Sequence, residues 1–169
     1  MTIAESLLPE FDQEMSSTRK LLECVPDGIF DYKPHEKSMA LGRLASHVAE
    51  IPGYLTATIT RPKLEIPAGY KAFNVASKQE LLAAFDKNAA EARAAIEGAT
   101  DEHLAEPWSL VFGGHTAFTM PRAAVVRNMG MNHLIHHRAQ LGVYLRLNDV
   151  AIPGMYGPSA DQKTAAAQA

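Results

Sequence analysis

Proline and glycine cut this chain into four stretches of helical periodicity, and that punctuation restricts it to a bundle of long helices. The first stretch runs from Thr2 to Val25, with Ile3, Leu7, Phe11, Met15, Thr18 and Leu22 spaced three or four apart. Pro26, Gly28 and Pro34 then forbid a continuous helix through VPDGIFDYKPHEKS. The second stretch starts after Ser38, whose hydroxyl suits an N-cap, and continues to Thr60. Its stripe is Ala40, Leu44, His47, Ile51, Leu55 and Thr58. Pro52 lies inside it, removes one backbone donor and crowds the carbonyl of Val48, so a kink is expected there.

RPKLEIPAGYKAFNVA carries prolines, a glycine and no periodicity, and reads as a loop. The third helix opens with Ser77 and Glu80 at capping-box spacing and carries Leu81, Leu82, Phe85, Ala89, Ala92 and Ile96 before Gly98. EPWSLVFGGHTAFTM alternates apolar residues around Gly113-Gly114, the pattern of a short hairpin or extended arm. The fourth helix is expected from Pro121 to Leu147. At about 100° per residue, Val126, Met129, His133, His137, Gln140, Leu141 and Tyr144 share one side, while Met131, Ile135 and Gly142 face the other. A helix apolar on both sides is either central or covered by a second subunit. The expected fold is therefore all-α, a four-helix bundle with a short arm between its third and fourth helices. Residues 1–160 form the single domain, and 161–169, with their Ala-rich end, a tail.

Composition narrows the partners. The chain has 169 residues, 47% apolar and 21% charged, with a formal charge of −3 and no Lys/Arg block, so nothing favours binding to a phosphate backbone. No apolar run approaches the roughly 18 residues that span a bilayer. MTIAESLLPEFDQE is acidic and lacks the order of a secretory signal, and the single Cys24 rules out an intrachain disulfide or a Cys-rich zinc module. A cytoplasmic protein acting on a small molecule, away from nucleic acid and membrane, is the expectation.

Three of the seven histidines fall within NHLIHHRAQL. His133 and His137 are four apart and project from one helical face, a spacing at which two imidazoles can share a metal ion. His136 lies about 60° to one side. Leu134 stands where H-E-x-x-H would need Glu, which argues against a metalloprotease. A catalytic mononuclear site wants three protein ligands and one open position. His47, polar but bordering the core stripe of the second helix, is the best third ligand, because nothing aims His35, His103 or His115 at the core. Glu50, one turn on, could be an acceptor behind His47 or a base. Other readings stay open at this point: His47 as a hydrogen-bonded core histidine, the H-x-x-x-H pair as coincidence, Tyr54 and Tyr144 as packing or pocket hydroxyls, Trp108 as core or arm anchor. Asn132 and Gln140 could orient ligands.

LGRLASHVAEIPGYL and NHLIHHRAQLGVYLRLNDVAIPGMYGPSAD, with the helix start ASKQELLAAFDKN and the run TMPRAAVVRNMGMNHLIHHR, resemble the DinB-like superfamily of metal-binding four-helix bundles over nearly the whole chain. The resemblance implies metal ligands at His47, His133 and His137, with His136 an extra histidine of the HHR run and Arg138 and Gln140 structural. It also implies a homodimer. Relatives often carry two acids where this chain has Asp161-Gln162. Characterised relatives include transferases that use low-molecular-weight thiols such as bacillithiol or mycothiol, isomerases and metal-dependent hydrolases. The expectation is thus a divalent-metal enzyme, with zinc or nickel in a tri-histidine site and a low-molecular-weight thiol as a possible co-substrate. Two alternatives remain: a non-catalytic bundle whose metal is structural, and an interaction protein with unmetallated histidines.

Overall fold

Local capping signals begin two of the long helices, and tertiary packing carries them all. In the computed structural model, which describes residues 1–162, α1 spans Ile3–Glu23. Thr2 accepts from the Glu5 amide at 3.1 Å while the Glu5 carboxylate accepts from the Thr2 amide at 2.7 Å, a capping box that satisfies two otherwise orphaned donors. Helix α2 spans Leu41–Thr60 and continues through Pro52. Ser38 does not cap it. The N-cap is Ala40, without a side-chain bond, and the Leu41 amide is satisfied instead by the Tyr32 carbonyl at 2.9 Å. Helix α3 spans Lys78–Glu97 and is capped by Ser77, as its spacing predicts.

Helix α2 is the central element. Leu44, Ala45, Val48, Ala49, Ile51, Leu55 and Ile59 are all buried, so it presents apolar surface to α3 on one side and to the fourth helix on the other. Alanines 45, 49 and 92 in that core let the backbones approach closely. Burial of each large aliphatic side chain in it contributes about 1.5–3 kcal/mol.

The fourth helix is not one regular helix. After the short α4 (Asp101–Ala105), Arg122–Val125 form α5, a single turn; Val126–Asn132 form a π-helical segment; and His133–Arg146 form α6. Each π turn holds an extra residue, so the angular phase counted from Pro121 does not carry through to the histidines. Of the group expected on the other side, Met131 is 1% exposed and lies in the core and Gly142 is buried as well, so at these positions the helix is covered within the chain itself. The buried stripe of α6 is Leu134, Arg138, Leu141, Gly142 and Leu145.

The expected arm is a hairpin of β2 (Pro107–Phe112) and β3 (His115–Pro121). Gly113 and Gly114 turn it with φ of 52° and 84°, left-handed values that favour glycine. The stretch read as a loop contains a further strand, β1 (Lys63–Ile66), which pairs parallel to β2 with Lys63 opposite Ser109 and Ile66 opposite Phe112. Four residues are too few to show alternation, and their partner lies more than forty positions away, so no local signal announces the pairing. Trp108 is 1% exposed and anchors the sheet with Leu110 and Val125 in a small second core.

After α6 the chain turns at Asp149 (φ 58°) and runs back along the helix. Asp161 pairs with Arg146 and accepts from the Ile152 amide. Tyr156 hydrogen-bonds both Arg138 (2.8 Å) and Glu14 (2.9 Å), joining a buried ion pair in which Arg138 lies 2.6 Å from Glu14. Arg138 is thus structural, as the resemblance implies. Part of the expected tail, residues 163–169, lies outside the described residues.

The approach of α2 to the fourth helix is set by Gly130, where a Cβ would fall 2.5 Å from Leu55 Cγ and Cδ1. Leu55 is fully buried and has no room to yield. Gly130→Ala should lower unfolding stability by about 1–3 kcal/mol in urea titrations, the range for overpacking a well-filled core.

Candidate metal centre

Three imidazoles meet where α2 faces the beginning of α6. His47 projects from the middle of α2, and His133 and His137 from the first two turns of α6, which starts directly after the π segment. Ring centroids lie 5.0 Å apart for His47 and His133, 4.7 Å for His47 and His137, and 4.6 Å for His133 and His137. One nitrogen from each lies within 4.8 Å of the other two, a grouping that could hold a metal ion.

The partners of the far nitrogens orient the near ones. His47 Nδ1 donates to Glu50 Oε1 at 2.6 Å, His137 Nδ1 to Gln140 Oε1 at 2.8 Å, and His133 Nδ1 to the Met129 carbonyl at 3.3 Å. All three acceptors are oxygens, so each ring is protonated on Nδ1 and turns the lone pair of Nε2 inward. His47 Nε2 and His133 Nε2 then stand 3.3 Å apart with two lone pairs facing one another. That arrangement is repulsive unless a cation lies between them. An ion bound tetrahedrally by two imidazoles at about 2.0–2.1 Å separates the nitrogens by about 3.3–3.4 Å. The donor set fits a divalent metal.

Electrostatics favour the neutral rings that coordination requires. Burial, reinforced by the neighbouring His47, pushes His133 below the usual histidine range. Burial also drives His137 down to about 4, against the opposing effect of its hydrogen bond to Gln140 and with added repulsion from His47, His133 and His136.

Glu50 stands behind His47 rather than at the centre of the cluster. Its Oε1 accepts from His47 and also from Arg43 Nη2 at 3.0 Å, and its side chain is almost wholly buried. Of the two roles open to it in sequence, the geometry gives it that of an acceptor that holds the ring. Arg43 was not singled out in the sequence, although its spacing of seven from Glu50 places the two on one face of α2. Gln140, a ligand-orienting candidate, does orient His137; Asn132 is exposed and contacts no ligand nitrogen among the described hydrogen bonds. Tyr54 stacks on His133, with centroids 6.5 Å apart and planes at 11°, and burial beside Glu50 pushes its phenol well above the ordinary tyrosine range. Tyr144 lies elsewhere, donating to the Met39 carbonyl and packing edge-on against Tyr32.

The other histidines are apart from the cluster. His136 is exposed, its ring 4.8 Å from that of His137. His103 donates to the Ile59 carbonyl at 2.7 Å near the end of α2, and His35 and His115 are exposed in a loop and on β3.

The sequence model of the DinB family matches residues 1–168. The chain belongs to the DinB family. Among its DinB-family relatives, a Bacillus subtilis (strain 168) protein described as uncharacterized protein YrdA is 25% identical over 160 residues, covering 94% of this chain and 90% of that one. The fold is similar to the crystal structure of a DinB-like protein from Bacillus cereus ATCC 10987, with a TM-score of 0.70 and 24% identity over 90% of this chain and 97% of that chain. It is also similar to the DinB-like protein YjoA from Bacillus subtilis, with a TM-score of 0.66 and 19% identity over 89% of this chain and 97% of that chain.

The depressed histidines make the metal-free protein sensitive to acid. As pH falls from 6.5 toward 4, the unfolded chain takes up protons that folded His133 and His137 refuse. Unfolding free energy therefore rises with pH across this window and declines on acidification. Urea midpoints of chelator-treated protein should fall steadily between pH 6.5 and 4, and substitution of His137 by Gln should flatten that dependence.

Proposed function

We propose that His47, His133 and His137 hold one divalent ion, zinc or nickel, and that the protein is a metal-dependent enzyme for a small-molecule substrate. The reaction class is S-transfer from a low-molecular-weight thiol, or hydrolysis. The observation that carries the reading is the inward convergence of three Nε2 atoms whose Nδ1 partners are already engaged.

A bound ion would supply a Lewis acid able to stabilise a thiolate or to lower the pKa of a water toward about 7. Around it, the chain's own residues have defined tasks. Three neutral imidazoles donate without cancelling the positive charge at the centre. Glu50 fixes the tautomer and direction of His47, and Arg43 holds that carboxylate in place. Gln140 does the same for His137. Tyr54 lies parallel to His133 and forms one side of its surroundings.

One observation favours a second reading, in which the metal stabilises the bundle without catalysis. Glu50 is committed to His47 and Arg43, which leaves the cluster without a free carboxylate beside it among the described residues. Elemental analysis of untagged protein tests the common ground: about one ion per chain is expected, lost in His137→Ala, and a metal-free wild type of equal stability would overturn both readings. Turnover of electrophiles that depends on added thiol, or of esters and amides without it, separates enzyme from structural metal.

We further propose a homodimer. The resemblance supports it, and so does an apolar stripe of Ile135, Ala139, Val143 and Leu147 along the outer side of α6, where Val143 and Leu147 remain 59% and 56% exposed. The returning C-terminal segment covers this face only in part, leaving a groove of about 440 Å3 beside Ile152 and Met155. Val143→Glu should convert a dimer to a monomer in light scattering at micromolar concentration, with far-UV circular dichroism unchanged. A wild-type protein already monomeric would exclude this interface.

A further inference from the structure

A second cavity adjoins the histidine cluster further along α2. It is a cleft of about 450 Å3 between α2 and α3, roofed by Leu64 of β1 and by Phe73. Glu50 and Tyr54, the residues that touch His47 and His133, form the wall it shares with the cluster. Its volume is in the range of small-molecule sites.

Three features of the lining mark it as more than a packing defect. The Thr56 hydroxyl is buried with no hydrogen-bond partner. Thr58 and Thr60, its neighbours on the same helix, both donate to the carbonyl four residues back, so the missing bond at Thr56 is an exception to the local pattern. A buried hydroxyl left unsatisfied is destabilising, a cost that a ligand acceptor would recover. Arg61 and Lys87 both line the cleft and neither forms an ion pair among the described residues. Of the two lining carboxylates, Glu50 is neutralised by Arg43, which leaves Glu91 as the one uncommitted acid against two uncommitted cations.

We propose that this cleft binds a small organic carboxylate. The acid is held by Arg61 and Lys87, the Thr56 hydroxyl supplies a donor on the wall, and the apolar body lies against Tyr54, Leu64 and Phe73. As the substrate site of the neighbouring centre, the cleft rests on the metal-enzyme reading above; as a carboxylate site, it stands on its own lining. Gly53 gives a means of plugging it. A Cβ there meets Asn88 Oδ1 at an ordinary 3.6 Å, so Gly53→Ala preserves the packing while narrowing the cleft.

The probe is 4-phenylbutyrate, an aromatic ring on a short chain ending in a carboxylate, with 4-phenylbutanol as its neutral counterpart. Calorimetric titration uses the full chain, zinc-loaded and chelator-treated. The acid should bind both forms, the alcohol at least 10-fold more weakly, and the Arg61→Ala/Lys87→Ala variant should lose at least 10-fold in affinity for the acid. Thr56→Val and Gly53→Ala should each weaken binding several-fold without lowering the melting temperature by more than a few degrees. Binding that vanishes on chelation and is indifferent to the double variant would place the carboxylate on the metal and overturn the proposal. Equal affinity for acid and alcohol would overturn it too, as would absence of binding at millimolar probe. A chain that binds no metal yet binds the acid through Arg61 and Lys87 would refute the metal centre and leave the cleft assignment standing.

Discussion

The distance between α2 and the fourth helix governs the rest of the structure, and it is set where Gly130 lies against Leu55. Helix axes approach this closely only where one partner lacks a side chain. The contact lies on the same seam as the histidine cluster, three residues before His133. Were the helices a methyl group further apart, the Nε2 atoms of His47 and His133 would not stand 3.3 Å from one another. Packing and chemistry therefore share one constraint.

The π segment adds a second constraint to the same seam. Seven residues, Val126–Asn132, are wound more widely than an α-helix, and the side chains that follow are rotated relative to those before. This rotation buries Met131, Leu134 and Arg138 and still turns His133 and His137 toward α2. Arg138, one position beyond His137, points to the opposite side and closes on Glu14 and Tyr156. One helix thus carries the open face of the cluster and, on its far side, a buried ion pair that joins α1 to the returning chain. Breaking such a pair by removing one partner leaves an uncompensated buried charge.

Much of this arrangement is legible in the sequence because it rests on short-range periodicity. The four helices, the Ser77 cap and the glycine-turned hairpin follow from spacing; His47, His133 and His137, which converge, are the residues that spacing offers as candidates and that the family resemblance implies. What escapes reading is what depends on long-range pairing or on an irregular backbone. Strand β1 is defined only by its parallel neighbour β2, and the phase of the fourth helix is altered by a π turn that no residue type announces. Ser38 fails as a cap because the chain before α2 is held by Tyr32 and Phe30 carbonyls instead. Arg43 escaped because a charged residue near the start of a helix ordinarily faces solvent, whereas here it reaches back to a buried carboxylate.

The histidine cluster is unevenly distributed along the chain: two of its rings lie on adjacent turns, and the third is 86 positions away from His133. The adjacent pair can exist in any helical fragment that contains it, but the complete set exists only after the fourth helix has docked on α2. An ion entering the cluster would therefore meet a finished bundle rather than a growing chain. Which metal it accepts would be decided by the geometry of a folded protein and by whichever ions are available once folding is complete. The order of events during folding would thereby become part of how such a site selected an ion.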